Sequence, residues 1–107
     1  MYRLFATLAR GRPAITIVAN GGAGALEEVR NNLRQRRRMI VIAGSGRAAD
    51  AIIAVLRNRM PRDPETRRLR QAAAKLPLRR HRDLIEIFPL RRGARRLAQL
   101  VAERLSP

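Results

Sequence analysis

The sequence predicts an α/β fold in which about three parallel strands carry four to five helices on their two sides. Three observations predict it. Two continuous apolar, β-branched runs, Ala14 to Ala19 and Met39 to Ala43, are each followed at once by a Gly-rich turn and then by helical periodicity. A third such run, Leu84 to Phe88, precedes a last helical segment. Finally, 46% of the residues are hydrophobic but only 3% aromatic, so the core must be built from Ala, Val, Ile and Leu, as helices on a parallel sheet require.

Taken in order, Tyr2 to Ala9 predicts a short lead-in helix with Leu4, Phe5 and Leu8 on one side, stopped by Gly11 and Pro13. The run Ala14 to Ala19 lies between Pro13 and Asn20-Gly21-Gly22, and its unbroken apolar character predicts a strand covered on both faces. From Gly24 the period changes: Leu26, Val29 and Leu33 make an apolar helix stripe. The pattern then repeats, with Met39 to Ala43 as strand, Gly44-Ser45-Gly46 as turn, and Ala48, Ile52, Val55 and Leu56 at helical spacing within Arg47 to Arg59. Two such units with short connections imply parallel strands and right-handed crossovers. Met60-Pro61 closes the second helix. Asp63-Pro64-Glu65 opens another, reaching about Lys75, because Asp caps free amides and Pro suits the first helical position. After the third strand, stopped by Pro89, Arg92 to Leu105 sets Leu97, Val101 and Leu105 in a stripe beside Ala94 and Ala98.

A chain of 107 residues fits one domain, with a core over 13–105 and residues 1–12 as a lead-in. So short a domain buries a modest share of its surface, and a homodimer or a larger host protein is expected to complete it. No Cys is present, which excludes disulfides and thiolate chemistry. Neither a signal-peptide core nor a run of roughly 18 apolar residues occurs, so a cytoplasmic chain with no membrane span is expected. The formal net charge is +16, and of the 24 basic residues only Lys75 is Lys. A basic surface attracts polyanions, but these Arg recur in every segment rather than on one element, as solvated helix faces also would.

The candidate chemistry lies in the two turns. Each joins the carboxyl end of a strand to the amino end of a helix, where α/β folds hold ligands. Gly21, Gly22 and Gly24 in the first turn let the backbone approach a ligand closely, and free amides with the helix dipole favour an anion there. In the second, Gly44, Ser45 and Gly46 sit at the equivalent end of the adjacent strand; Ser45 offers a hydroxyl to a phosphate oxygen and Arg47 a bidentate guanidinium. The competing structural roles are a tight turn for the glycines and a solvated Arg47 pairing with Asp50 at i+3. His81, the single His, lies among Arg79, Arg80 and Arg82 without companions for a metal, so no metal site is expected. Glu27 and Glu28 are adjacent and diverge by about 100° on a helix, so they form no acid/base pair. No Walker lysine follows either turn, and no nucleophile with a His/Asp set can be assembled.

These residues carry a resemblance. Gly21-Gly22-Ala23-Gly24-Ala25-Leu26-Glu27-Glu28 is similar to the Gly-Gly-x-Gly-Thr-x-x-Glu motif of the Lonely Guy and lysine-decarboxylase-like proteins. With Val18-Ala19-Asn20 before it, Gly44-Ser45-Gly46-Arg47-Ala48-Ala49-Asp50 after it, and the later stretch Leu84 to Leu90, the chain looks closer to the prokaryotic SLOG domains related to the cytosolic sensor region of TRPM channels, over roughly 13–105. The resemblance implies an incomplete, Rossmann-like three-layer fold, the C-terminal portion of such a domain, which binds or senses a nucleotide-derived, phosphate-containing ligand such as ADP-ribose or an NAD-related molecule. It implies Gly21, Gly22 and Gly24 as the phosphate loop and Glu28 as the match to the motif's acid; together with the second turn, Asn20, Gly21, Gly22, Gly24, Glu28, Gly44, Ser45, Gly46 and Arg47 are the expected ligand-binding positions, and no resident cofactor is expected. In the hydrolytic branch the acid matching Glu28 helps to cleave an N-glycosidic bond, which makes Glu28 the candidate catalytic residue of a nucleotide phosphoribohydrolase. Ala25 in place of Thr, and the missing earlier strands, weigh against that activity. The further alternative is electrostatic nucleic-acid binding by the Arg surface. With only Tyr2, Phe5 and Phe88 as aromatics, it would be strongly salt-dependent.

Overall fold

The computed structural model describes residues 15–105, and the predicted Tyr2 to Ala9 helix lies outside them. The described chain runs β1 (Ile15–Val18), α1 (Ala23–Arg34), β2 (Arg38–Ala43), α2 (Arg47–Leu56), α3 (Pro64–Ala73), β3 (Ile85–Pro89) and α4 (Gly93–Leu105). Short 3-10 turns at Arg82–Leu84 and Leu90–Arg92 flank β3. The three strands form one parallel sheet in the order β1-β2-β3, with Ile17 opposite Ile40 and Val41 opposite Ile87. Three parallel strands and four α-helices make an incomplete Rossmann-like α/β fold.

Alternation along the strands divides the core in two. Val18, Met39, Val41 and Ile85 face one side, against Leu26, Val29 and Leu33 of α1 and Ile52 and Val55 of α2. Ile15, Ile17, Ile40, Ile42 and Phe88 face the other, where Leu97, Leu100, Val101 and Leu105 of α4 cover them. α1 and α2 thus share one face, as right-handed crossovers in a sequential strand order require, and α4 lies on the opposite face. The predicted stripe of α2 is only part of its buried surface: Ala49, Ala51 and Ala54 are buried as well. The reason is α3, which packs on α1 and α2 as an outer layer and brings Leu69, Ala73, Leu76 and Leu78 into the same cluster. Small Ala side chains let the two helices approach.

Local chemistry fixes the ends of these elements. α1 and α2 both stop in a Schellman pattern: Arg36 N–H bonds Leu33 O and Arg37 N–H bonds Asn32 O, while Asn58 and Arg59 do the same to Val55 and Ala54. The left-handed residues are Arg36 (φ 55°) and Asn58 (φ 55°), so neither end carries the usual Gly signal. Asp63 caps α3 by accepting from the Thr66 N–H and hydroxyl, both at 2.9 Å, and those bonds hold its carboxyl below the usual range. Inside, Thr16 of β1 donates to Asn32 Oδ1 of α1 at 3.0 Å, and the Asn32 amide donates to Glu28 O, so a buried polar pair stays satisfied.

The bond pair from Arg104 to Glu86 ties α4 to β3, at 2.8 and 3.0 Å. Its hydrogen bond to the guanidinium holds the Glu86 carboxyl below the ordinary carboxylate value. A lowered folded-state value means that this tie stabilises fully above the unfolded carboxylate range, near 4.5, and is lost as pH falls through the folded value. Urea midpoints measured from pH 7 down to pH 3 should therefore fall less steeply in Glu86→Gln than in the parent chain. Ile52 is fully buried between the sheet and α3, and Ile52→Ala should lower the unfolding free energy by about 2–5 kcal/mol in chemical denaturation.

Candidate functional site

Because the strands are parallel, all three release the chain along one carboxyl edge, and the two Gly turns meet there. The Asn20 N–H donates to Ser45 Oγ at 2.8 Å and the Asn20 amide donates to Ser45 O at 2.9 Å. In return, the Ala48 and Ala49 N–H groups at the start of α2 donate to Gly21 O and Asn20 O, each at 3.0 Å. The first turn therefore caps the helix that follows the second.

The backbone here is unusual. Gly21, Gly44 and Gly46 all have positive φ, which glycine adopts freely. Asn20 (φ 58°) and Arg47 (φ 48°) are left-handed without that freedom, and Arg pays for it more than Asn. Such a backbone costs on the order of 1–3 kcal/mol and persists where surrounding contacts over-determine it. The Asn20–Ser45 bonds and the Gly46 contact supply that constraint: a Cβ on Gly46 would stand 3.5 Å from Asn20 Nδ2.

The structure brings Asn20, Gly21, Gly22, Gly44, Ser45, Gly46 and Arg47 together, but it engages their polar groups in different ways. The two carboxylate oxygens of Asp50 accept from the Gly44 N–H at 2.8 Å and the Gly46 N–H at 3.1 Å, occupying the second turn's own anion nest. The Ser45 hydroxyl donates inward to Ile42 O at 2.7 Å. The alternative i+3 pair of Arg47 with Asp50 does not form, because Asp50 is turned into this nest. Arg47 Nε pairs instead with Glu65 Oε1 in the first turn of α3.

The first turn is more open. α1 begins at Ala23 with Gly22 as its N-cap and no side chain capping it. The early N–H groups of a helix lack intrahelical carbonyls; here Ala25 N–H closes back on Gly22 O at 3.0 Å, while Gly24 is exposed just before it. The Arg47 guanidinium reaches this point: a Cβ on Gly22 would sit 3.4 Å from its Nη2. A helix amino end and a guanidinium thus face the same space. Asn20 Oδ1 is buried without a hydrogen-bond partner among the described residues. Glu28 lies a turn further along α1, half-buried, with its Oε2 buried, and Ala25 is in the core.

Glu65 and the nest-filling role of Asp50 escape sequence reasoning. Glu65 is 18 residues from Arg47 and comes near it only because α3 stacks on α2. His81 is half-buried in the turn before β3, its N–H bonded to backbone carbonyls. Among the described residues no group of His, Cys, Asp or Glu could hold a metal ion, and no helix is long and apolar enough to cross a membrane. At the opposite, amino edge of the sheet, a cavity of about 50 Å³ lies beside the Arg104–Glu86 tie and is too small for more than water.

An incomplete Rossmann-like sheet with two joined glycine turns at its carboxyl edge defines a class of α/β domain. Within that class, a family model described as SLOG in TRPM, prokaryote, matches residues 1–99, and the chain belongs to that family. The match takes in the first twelve residues and the expected core as far as residue 99. No curated protein matches the chain.

The hydrogen bonds across the turns can be tested by removing Ser45's hydroxyl. Ser45→Ala takes away the acceptor of Asn20 N–H and the bond to Ile42 O, and should lower stability by about 1–2 kcal/mol in urea unfolding. Slowed-exchange protection of the Asn20 amide should fall with it.

Proposed function

We propose that this domain binds a nucleotide-derived, phosphate-containing small molecule at the first glycine turn, and that it does so as a binding or sensing module. The observation that carries the reading is the position of Arg47: its guanidinium stands over Gly22, beside the uncapped amino end of α1. Backbone N–H groups, the positive end of a helix dipole and a guanidinium directed at one space suit a phosphate group. Family membership supports a nucleotide-type ligand without naming it.

The roles divide accordingly. Gly21, Gly22 and Gly24 give the ligand access to the backbone, and Arg47 supplies the charge. Glu65 orients Arg47. Asn20, Ser45, Gly44, Gly46 and Asp50 hold the second turn rigid beneath it. The buried Asn20 Oδ1 is an unused acceptor at the turn, suited to a ligand hydroxyl such as a ribose offers. Glu28 lies along the same helix, where it can reach the ligand's sugar or base.

The test is a thermal-shift series with AMP, NAD, ADP-ribose and ATP. At a hundredfold excess over Kd a ligand stabilises by about 2.7 kcal/mol, which gives a clear rise in melting temperature. That rise should disappear in Gly22→Val, whose side chain displaces the Arg47 guanidinium, and in Arg47→Ala, while both variants still melt cooperatively. A parent chain that none of the four nucleotides stabilises would refute the reading.

A further inference from the structure

Beside the second turn, on the side away from the first, an open cleft of about 510 Å³ lies between the carboxyl ends of β2 and β3. Ala43, Gly44, Pro89 and Leu90 form its wall, and Arg57 and Arg91 supply its charge. Gly44 and Leu90 meet at its base: a Cβ on Gly44 would be 3.8 Å from that of Leu90. None of the four residues that stand outside the second turn, Arg57, Pro89, Leu90 and Arg91, takes part in the reading above.

Most of the other described arginines with resolved contacts serve the fold. Arg67, Arg70, Arg79 and Arg82 donate to backbone carbonyls of Pro61, Arg59, Val55 and Ile85. Arg30, Arg47 and Arg104 pair with carboxylates. Arg57 and Arg91 belong to the arginines whose side chains make neither an ion pair nor a hydrogen bond among the described residues, and of these they are the two that line the cleft. Neighbouring Arg92, Arg95 and Arg96 add like charge, and the first turn of α4, where Arg95 and Arg96 lie, contains no acid. Cations gathered at a helix amino end oppose its dipole. An arrangement that raises the energy of the empty protein is relieved by an anion.

We infer that this cleft is a second anion subsite, formed by Arg57 and Arg91, for the phosphate group of a small phosphorylated molecule. Its volume lies within the range of small-molecule sites, and Ala43, Pro89 and Leu90 give it an apolar wall for the rest of the ligand. A polynucleotide fits less well, because the one Phe, Tyr or Trp among the described residues, Phe88, is buried and offers no stacking face.

The experiment follows amide and arginine Nε signals of the isotope-labelled protein while inorganic pyrophosphate is added, in the parent chain, in the double variant Arg57→Ala/Arg91→Ala and in Gly22→Val. The expected result is saturable movement of the Gly44, Leu90, Arg57 and Arg91 signals in the parent. That movement persists in Gly22→Val. In the double variant, which removes exposed side chains and should melt as the parent does, the Gly44 and Leu90 movement falls at least tenfold at equal pyrophosphate. Movement of those two signals that survives the double substitution, or its absence in the parent, overturns the inference. So does a response given only by single-stranded DNA, spread over all arginines and abolished by about 0.3 M salt. Failure of the first-turn reading looks different: Gly22 and Gly24 would stay still while the cleft signals move.

Discussion

The contact on which the rest depends is the handover between the two turns. The Ala48 and Ala49 amides, which open α2, are satisfied by the carbonyls of Gly21 and Asn20 rather than by solvent or by a side chain of their own segment. A helix start normally needs a local cap. Here the cap arrives from the preceding unit, so the second helix can begin where it does only if β1 and β2 pair in their observed register and both turns are formed. Arg47, the first residue of that helix, takes its place over Gly22 from the same constraint.

Charge has two uses in this chain. A formal charge of +16 on 107 residues invites an account in terms of polyanions. Yet guanidinium groups are also long-armed donors, and at Val55, Arg59, Pro61 and Ile85 they close backbone carbonyls at helix and strand ends. Such contacts suit Arg, whose planar fork offers several donors, better than Lys with its compact and strongly hydrated head. Arg57 and Arg91, which line the cleft at the carboxyl ends of β2 and β3, make no such contact among the described residues.

Much of the fold was legible in the sequence, since both strand–turn–helix units carry a change of hydrophobic period at a glycine. Asp63-Pro64 marked the start of α3 because capping and proline chemistry are local. What was not legible depends on layering. The Leu69 and Ala73 face of α3 gives no sign that it packs on α2 instead of the sheet, so neither the burial of Ala49, Ala51 and Ala54 nor the pairing of Arg47 with Glu65 could be read. For the candidate site, the meeting of the two turns was legible but their inventory of donors was not. Gly44, Ser45 and Gly46 looked like a phosphate loop, while the hydrogen bonds from Gly44 and Gly46 to Asp50, and from Ser45 to Ile42, are tertiary facts of one turn. In the competing structural role of Arg47, Asp50 was instead its partner.

The left-handed backbone at Arg47 bears on how this chain can change over time. A sequence selected only to fold would gain from glycine at that position, which makes the bend without steric opposition. The same exchange would remove the ion pair with Glu65 that joins α2 to α3 and the guanidinium that stands over Gly22, so relief of the bend and loss of both contacts come in one substitution.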